Sequence, residues 1–156
     1  MCAVRAEARL AELDIELPPA AFPLASYVPV TIAGTLAFVA GQVPLSEGRP
    51  LWTGKVGAEI DQETAVEAAR RCALQALAAL RAELGSLDRV RKIVRLAVFV
   101  ASAEGFTAQP KVANGASDLM GDVFGEAGRH ARIAVGVSEL PLGVPVEVEV
   151  LAEIDA

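Results

Sequence analysis

Ala131-Arg132-Ile133-Ala134-Val135-Gly136-Val137-Ser138-Glu139-Leu140-Pro141-Leu142-Gly143-Val144-Pro145-Val146-Glu147-Val148-Glu149-Val150-Leu151-Ala152-Glu153-Ile154 consists of two alternating runs around a turn-forming tetrapeptide. Leu140-Pro141-Leu142-Gly143 suits a turn between antiparallel strands, so the segment predicts a C-terminal hairpin. In the first run Ile133, Val135 and Val137 share one face, and Arg132, Ala134, Gly136 and Ser138 share the other. In the second run Val144, Val146, Val148 and Val150 oppose Pro145, Glu147, Glu149 and Glu153. If both apolar rows cover one core, register places Arg132, Glu147 and Glu149 together on a second face among very small neighbours. A fixed cation above an open floor suits a small anionic ligand. Ordinary solvated strands carry the same residue types, with Arg132 paired to Glu149, so the pattern alone leaves both readings open.

Upstream, residues 3–13 are strong helix formers, and Pro18-Pro19 ends that helix. Residues 17–26 read as proline-rich loop. Tyr27–Ile32 and Leu36–Ala40 predict a hairpin around Ala33-Gly34-Thr35. Residues 45–58 form a Gly/Pro-punctuated excursion containing Trp52. Asp61 is a suitable N-cap for a long helix from Gln62 to about Leu84, with Glu63 in its first turn and Gly85 as its stop. Lys92–Ala101 reads as a buried strand, and a second helix runs from about Thr107 to Phe124. The order β-β-α-β-α-β-β after an N-terminal helix predicts an α+β fold, a mixed sheet with two helices on one face. The whole chain, 1–156, reads as a single domain in which 1–24 is a helix-and-loop extension.

Composition narrows the partners. The 156 residues are 53% hydrophobic and carry a net charge of −6. Acidity argues against nucleic acid as a bulk partner, because such binding rests on phosphate neutralisation. The apolar excess points to surface buried between subunits. Cys2 and Cys72 are the two cysteines. Cys72 fits a buried helix face, and one histidine with no CxxC offers no metal-ligand spacing. No apolar run is long enough to span a membrane and the N-terminus lacks a signal-peptide core, so the expected compartment is the cytoplasm.

Ala131-Arg132, Leu140-Pro141 and Val146-Glu147-Val148-Glu149, preceded by Tyr27-Val28 and Gly41-Gln42-Val43-Pro44, resemble the signature of the RidA (YjgF) family of enamine/imine deaminases. Asn114 also sits near a family asparagine. The resemblance covers roughly residues 25–154 and is similar to the branch labelled YjgF-like or endoribonuclease L-PSP-like. It implies a chorismate-mutase-like fold and a homotrimer with sheets facing the centre and clefts between subunits. It further implies that Arg132 binds a substrate carboxylate, that Glu147 activates water, and that Tyr27 of a neighbouring subunit, Asn114 and Ala134 line the cleft. The family usually has cysteine where this chain has Ala134, a departure that changes the shape of the cleft floor. The implied reaction is cofactor-free hydrolysis of a 2-aminoacrylate-like enamine or imine to a 2-oxo acid and ammonia. Alternatives are a non-catalytic trimeric binder of small carboxylates and, disfavoured by the acidity and the lack of a histidine pair, an endoribonuclease. Of the other polar or aromatic residues, Gln42 reads as a backbone-bonding turn residue, His130 as solvated and Trp52 as packing.

Overall fold

A run such as Ile93-Val94-Arg95-Leu96-Ala97-Val98-Phe99-Val100-Ala101 leaves little polar surface, so it needs strand partners on both edges. The computed structural model, which describes residues 5–21 and 26–156, places it so. The chain forms α1 (Ala6–Glu12), β1 (Val30–Ala33), β2 (Leu36–Gln42), β3 (Leu45–Ser46), β4 (Arg49–Pro50), α2 (Gln62–Leu84), β5 (Val90–Ala101), α3 (Gln109–Phe124), β6 (Ala131–Val137) and β7 (Val146–Ile154). The main sheet has the order β1-β2-β7-β5-β6, and only the β5–β6 pairing is parallel. The mixed sheet with helices on one face is therefore as expected.

The expected C-terminal hairpin is not formed. β5 lies between β6 and β7, and residues 138–145 step over it through a short 3-10 turn at Pro141–Gly143. Leu142 (φ 60°) and Gly143 (φ 70°) both take left-handed backbone there, which turns the chain without a hairpin ladder. The register also overturns the expected common face of Arg132 and Glu147. Arg132 lies opposite Leu96 and Ala134 opposite Val98, while Val150 and Val148 flank the same two β5 residues from the other side. Arg132, Ala134 and Gly136 thus share the helix-covered face with the β7 valines. Ile133, Val135 and Val137 share the open face with Glu147 and Glu149. Alternation fixes which residues of one strand go together, but only the partner strand fixes which face they take.

Smaller boundaries also move. β1 begins at Val30 rather than Tyr27, after Pro29, and α3 begins at Gln109, with Pro110 tolerated in its first turn. The 45–58 excursion contains the miniature β3–β4 ribbon, and Trp52 packs against the core. Of the expected N-terminal helix, residues 3–4 lie outside the described residues, as does part of the expected loop at 22–25.

α2 sits on the sheet through a row of fully buried small residues, Ala65, Ala68, Ala69, Ala73 and Ala76, which lets its backbone approach closely. Its ends are well made. Asp61 accepts the Thr64 N–H at 2.7 Å, and Gly85 (φ 81°) donates its N–H to the Arg81 carbonyl. α1 is tied on by Glu7, whose carboxylate accepts the Leu87 N–H at 2.9 Å and pairs with Arg81 at 2.7 Å. α3 lies against α2 at Gly115, where a Cβ would overlap the Val66 carbonyl group, 2.9 Å from its carbon. Gly115→Ala should therefore destabilise the fold by about 3 kcal/mol in urea denaturation, because backbone overlap outweighs the ~1 kcal/mol gain in helix propensity. A neutral or stabilising result would show that the two helices can separate freely.

Candidate functional site

Arg132 projects from β6 under α3, and that helix supplies all its partners. Nη1 donates to Asn114 Oδ1 at 2.8 Å and to Ser117 Oγ at 3.1 Å, and Nη2 donates to the Pro110 carbonyl at 3.2 Å. Asn114 and Ser117 are three residues apart and so occupy one helix face. All three acceptors are neutral. Among the described residues the guanidinium forms no ion pair, including with Glu149, so its positive charge is oriented without being cancelled. Ala134 follows on the same face, half-buried against the core, and Gly136 beyond it leaves space taken by the Gln109 amide and the Ser102 hydroxyl. β6 is an edge strand. The Val137 carbonyl accepts the Ser102 N–H at 3.1 Å and so faces β5. Amide direction alternates along a strand, which turns the amides of Arg132, Ala134 and Gly136 toward the uncovered edge.

Glu147 belongs to a second pole on the other face of the sheet. It lines a cavity of about 270 Å³ together with Tyr27, Gly41, Gln42, Gln75 and Leu142. On β2 the register with β7 shifts between Val39 and Gln42, a bulge that includes Gly41. A Cβ on Gly41 would overlap Glu147 Oε1 and lie 3.0 Å from Cδ, so glycine is what leaves that carboxyl in place. Burial, and to a lesser degree the neighbouring charge of Glu149, pushes the Glu147 pKa above the ordinary carboxylate value. The wall behind is held by Gln75, a buried amide on α2 that accepts the Leu45 N–H at 3.0 Å and donates to the Val43 carbonyl at 2.7 Å. Gln42 turns its amide onto the Ala40 carbonyl at 3.0 Å, the backbone role expected of it. Cys72 is fully buried behind β7, with Sγ 3.6 Å from the Val146 carbonyl.

The five candidate residues therefore fall into two groups. Arg132, Asn114 and Ala134 come together, as do Glu147 and Tyr27, but the groups lie on opposite faces with β5 between their strands. Sequence reading missed Ser117 and Gln75. Ser117 could have been found from its i+3 relation to Asn114, and Gln75 from its place among the buried alanines of α2. His130 is not simply solvated; its ring contacts Ser117 Oγ at 2.9 Å and the Gly128 carbonyl at 2.6 Å. A broader, open depression of about 700 Å³ between α1, the end of α3 and the start of β5 contains none of these residues. Among the described residues, no three His, Cys, Asp or Glu side chains cluster as metal ligands, and no helix is long and apolar enough to cross a membrane.

Residues 7–154 match the family model described as "YjgF/chorismate mutase-like, putative endoribonuclease". The chain belongs to the YjgF family. The chain is 48% identical over 152 residues to Protein TCP17 of Trypanosoma cruzi, covering 97% of this chain and 95% of that one. It is also similar to the crystal structure of Atu1372 from Agrobacterium tumefaciens, named as a protein of unknown function. That match has 46% identity, coverage of 96% and 92%, and a TM-score of 0.89. A structure from Shewanella oneidensis, titled a putative endoribonuclease, matches at 35% identity, coverage of 96% and 99%, and a TM-score of 0.91. This YjgF-family chain thus carries an uncancelled arginine on one face of its sheet and a partly buried carboxyl group on the other.

The raised Glu147 pKa has a consequence for stability. Folding favours the protonated carboxyl, so this contribution is fully present below the unfolded pKa and is lost as pH rises through the folded one. Glu147→Gln should raise the urea midpoint at alkaline pH, and the gain should shrink as pH falls into the acid range, where the carboxyl is protonated in folded and unfolded chains alike. An equal effect in both ranges would mean that the charge of Glu147 is not what burial opposes.

Proposed function

We propose that this YjgF-family chain is a hydrolytic deaminase of reactive enamine and imine intermediates carrying a carboxylate, of the 2-aminoacrylate type. The observation that carries this reading is the state of Arg132: a guanidinium fixed by three neutral acceptors and left with its charge uncancelled beside a free strand edge. A planar fork of this kind meets a carboxylate through two parallel hydrogen bonds. The exposed backbone amide of Ala134 adds a donor that does not depend on the side chain, so alanine in place of the usual cysteine is compatible with the reaction.

Because the Arg132 and Glu147 poles lie on opposite faces, one subunit cannot bring them together. A homotrimer supplies the remedy: the Arg132, Asn114 and Ala134 pole of one subunit meets the Glu147 and Tyr27 pole of its neighbour. The open sheet face supports this assembly, since Phe38 and Ile133 lie on it, each 42% exposed. In the proposed reaction the enamine tautomerises to the imine, and Arg132 holds its carboxylate. Glu147, with its raised pKa, takes a proton from water as the oxygen adds to the imine carbon, and returns it to the nitrogen. The hydroxyl proton then passes to the amino group, and collapse of the carbinolamine breaks the C–N bond as the C=O bond forms, releasing ammonia and a 2-oxo acid. No electrons leave the system and no co-reactant besides water is consumed.

The test is deamination of 2-aminoacrylate generated in situ by a dehydratase. Arg132→Ala and Glu147→Gln should each slow it by about 10²-fold or more, the scale expected of a lost carboxylate anchor or proton carrier. Co-refolding the two inactive variants should restore roughly a quarter of the wild-type activity, because that share of clefts pairs an intact Arg132 with an intact neighbouring Glu147. No recovery would place both residues in clefts built by one subunit or remove the trimer. Arg132-dependent calorimetric binding of a 2-oxo acid without turnover would instead favour a carboxylate binder. Ribonuclease activity gains little support, since the single histidine already serves Ser117 and Gly128.

A further inference from the structure

His130 reaches Arg132 through one intervening hydroxyl. Its Nδ1 lies 2.6 Å from the Gly128 carbonyl. A carbonyl oxygen only accepts, so Nδ1 carries a proton. Its Nε2 lies 2.9 Å from Ser117 Oγ, which itself accepts from Arg132 Nη1 at 3.1 Å. Among the described residues the hydroxyl proton of Ser117 has one acceptor in reach, His130 Nε2, and that requires the ring to be neutral there. The turn bearing this ring is held tightly: Gly128 is buried, and a Cβ on it would overlap the Met120 carbonyl, 2.6 Å from its carbon.

We propose that Ser117 and His130 are positioning residues for Arg132, forming the directed relay Arg132 Nη1–H to Ser117 Oγ–H to His130 Nε2, with Nδ1–H anchored on Gly128. The relay fixes the direction of the Ser117 lone pair, and so the rotation of the guanidinium, without adding a negative charge that would cancel it. A carboxylate at either position would orient Arg132 equally well but would compete with an anionic ligand. The inference rests on Arg132 binding a carboxylate only for its second readout; the first reads the relay alone.

The first readout is the nitrogen NMR spectrum of the imidazole, assigned without ambiguity because the chain has one histidine. The proton should reside on Nδ1 in the wild type, and Ser117→Ala, which leaves the Gly128 anchor in place, should keep it there while shifting the Nε2 resonance as its hydrogen bond is lost; an unshifted Nε2 resonance overturns the relay. A wild-type ring protonated on Nε2 overturns the relay. The second readout is calorimetric affinity for pyruvate. Ser117→Ala and His130→Phe should each weaken it about tenfold, as expected for loss of one positioning hydrogen bond to a charged group, while His130→Gln, whose amide can again accept from Ser117, should recover most of the loss. Wild-type affinity in His130→Phe overturns the positioning role. If the wild type binds no pyruvate, the carboxylate reading of the site fails, and the tautomer still decides the relay.

Discussion

The parallel pairing of β5 with β6 determines what the rest of the molecule can do. By taking both β6 and β7 as neighbours, β5 separates the two signature-bearing strands and puts Arg132 and Glu147 on opposite faces. A hairpin would have placed the guanidinium and the two carboxylates side by side, where they would satisfy each other as a surface ion pair contributing ~0–1 kcal/mol. Separation keeps both groups available. It also leaves the cation with neutral partners only, and leaves the carboxyl in a cavity where burial resists its ionisation.

Each pole is held by a device that lies outside the alternating motif. On the helix side, α3 comes down onto β6 because its glycine at position 115 permits close approach to α2, and this places Asn114 and Ser117 within reach of Arg132. On the open side, the missing side chain of Gly41 leaves room for Glu147, while the buried amide of Gln75 fixes the loop behind the cavity. Both arrangements exchange side-chain bulk for position. The small residues of this chain are therefore concentrated where two elements must come close, not only in turns.

Much of this was legible in the sequence, for identifiable reasons. Asp61, Gly85 and the alanine periodicity of α2 act within a few residues of themselves, so the helix bounds could be read locally. The valines of β7 do face the core, as their alternation indicates. The partner of each strand was not legible, because Ser138–Pro145 is compatible with either a turn or a crossover, and its Leu-Pro-Leu-Gly core favours the former on local grounds. The clue lay elsewhere: a strand as apolar as β5 is a poor candidate for an edge, and giving it two neighbours would have displaced β6 from β7. Likewise, Arg132, Glu147, Tyr27, Asn114 and Ala134 could be named from the family signature, but their division between two faces depends on long-range register that no local pattern records.

The free edge of β6 bears on which substitutions this site can absorb. At position 134 the side chain points under α3, while the main-chain N–H points outward. Under the proposed reading, position 134 contributes its amide hydrogen and not the chemistry of its side chain. Cysteine and alanine are then near-equivalents, and proline is excluded because it lacks the donor. Two chains could differ here in their most reactive-looking atom and still present the same surface to a ligand.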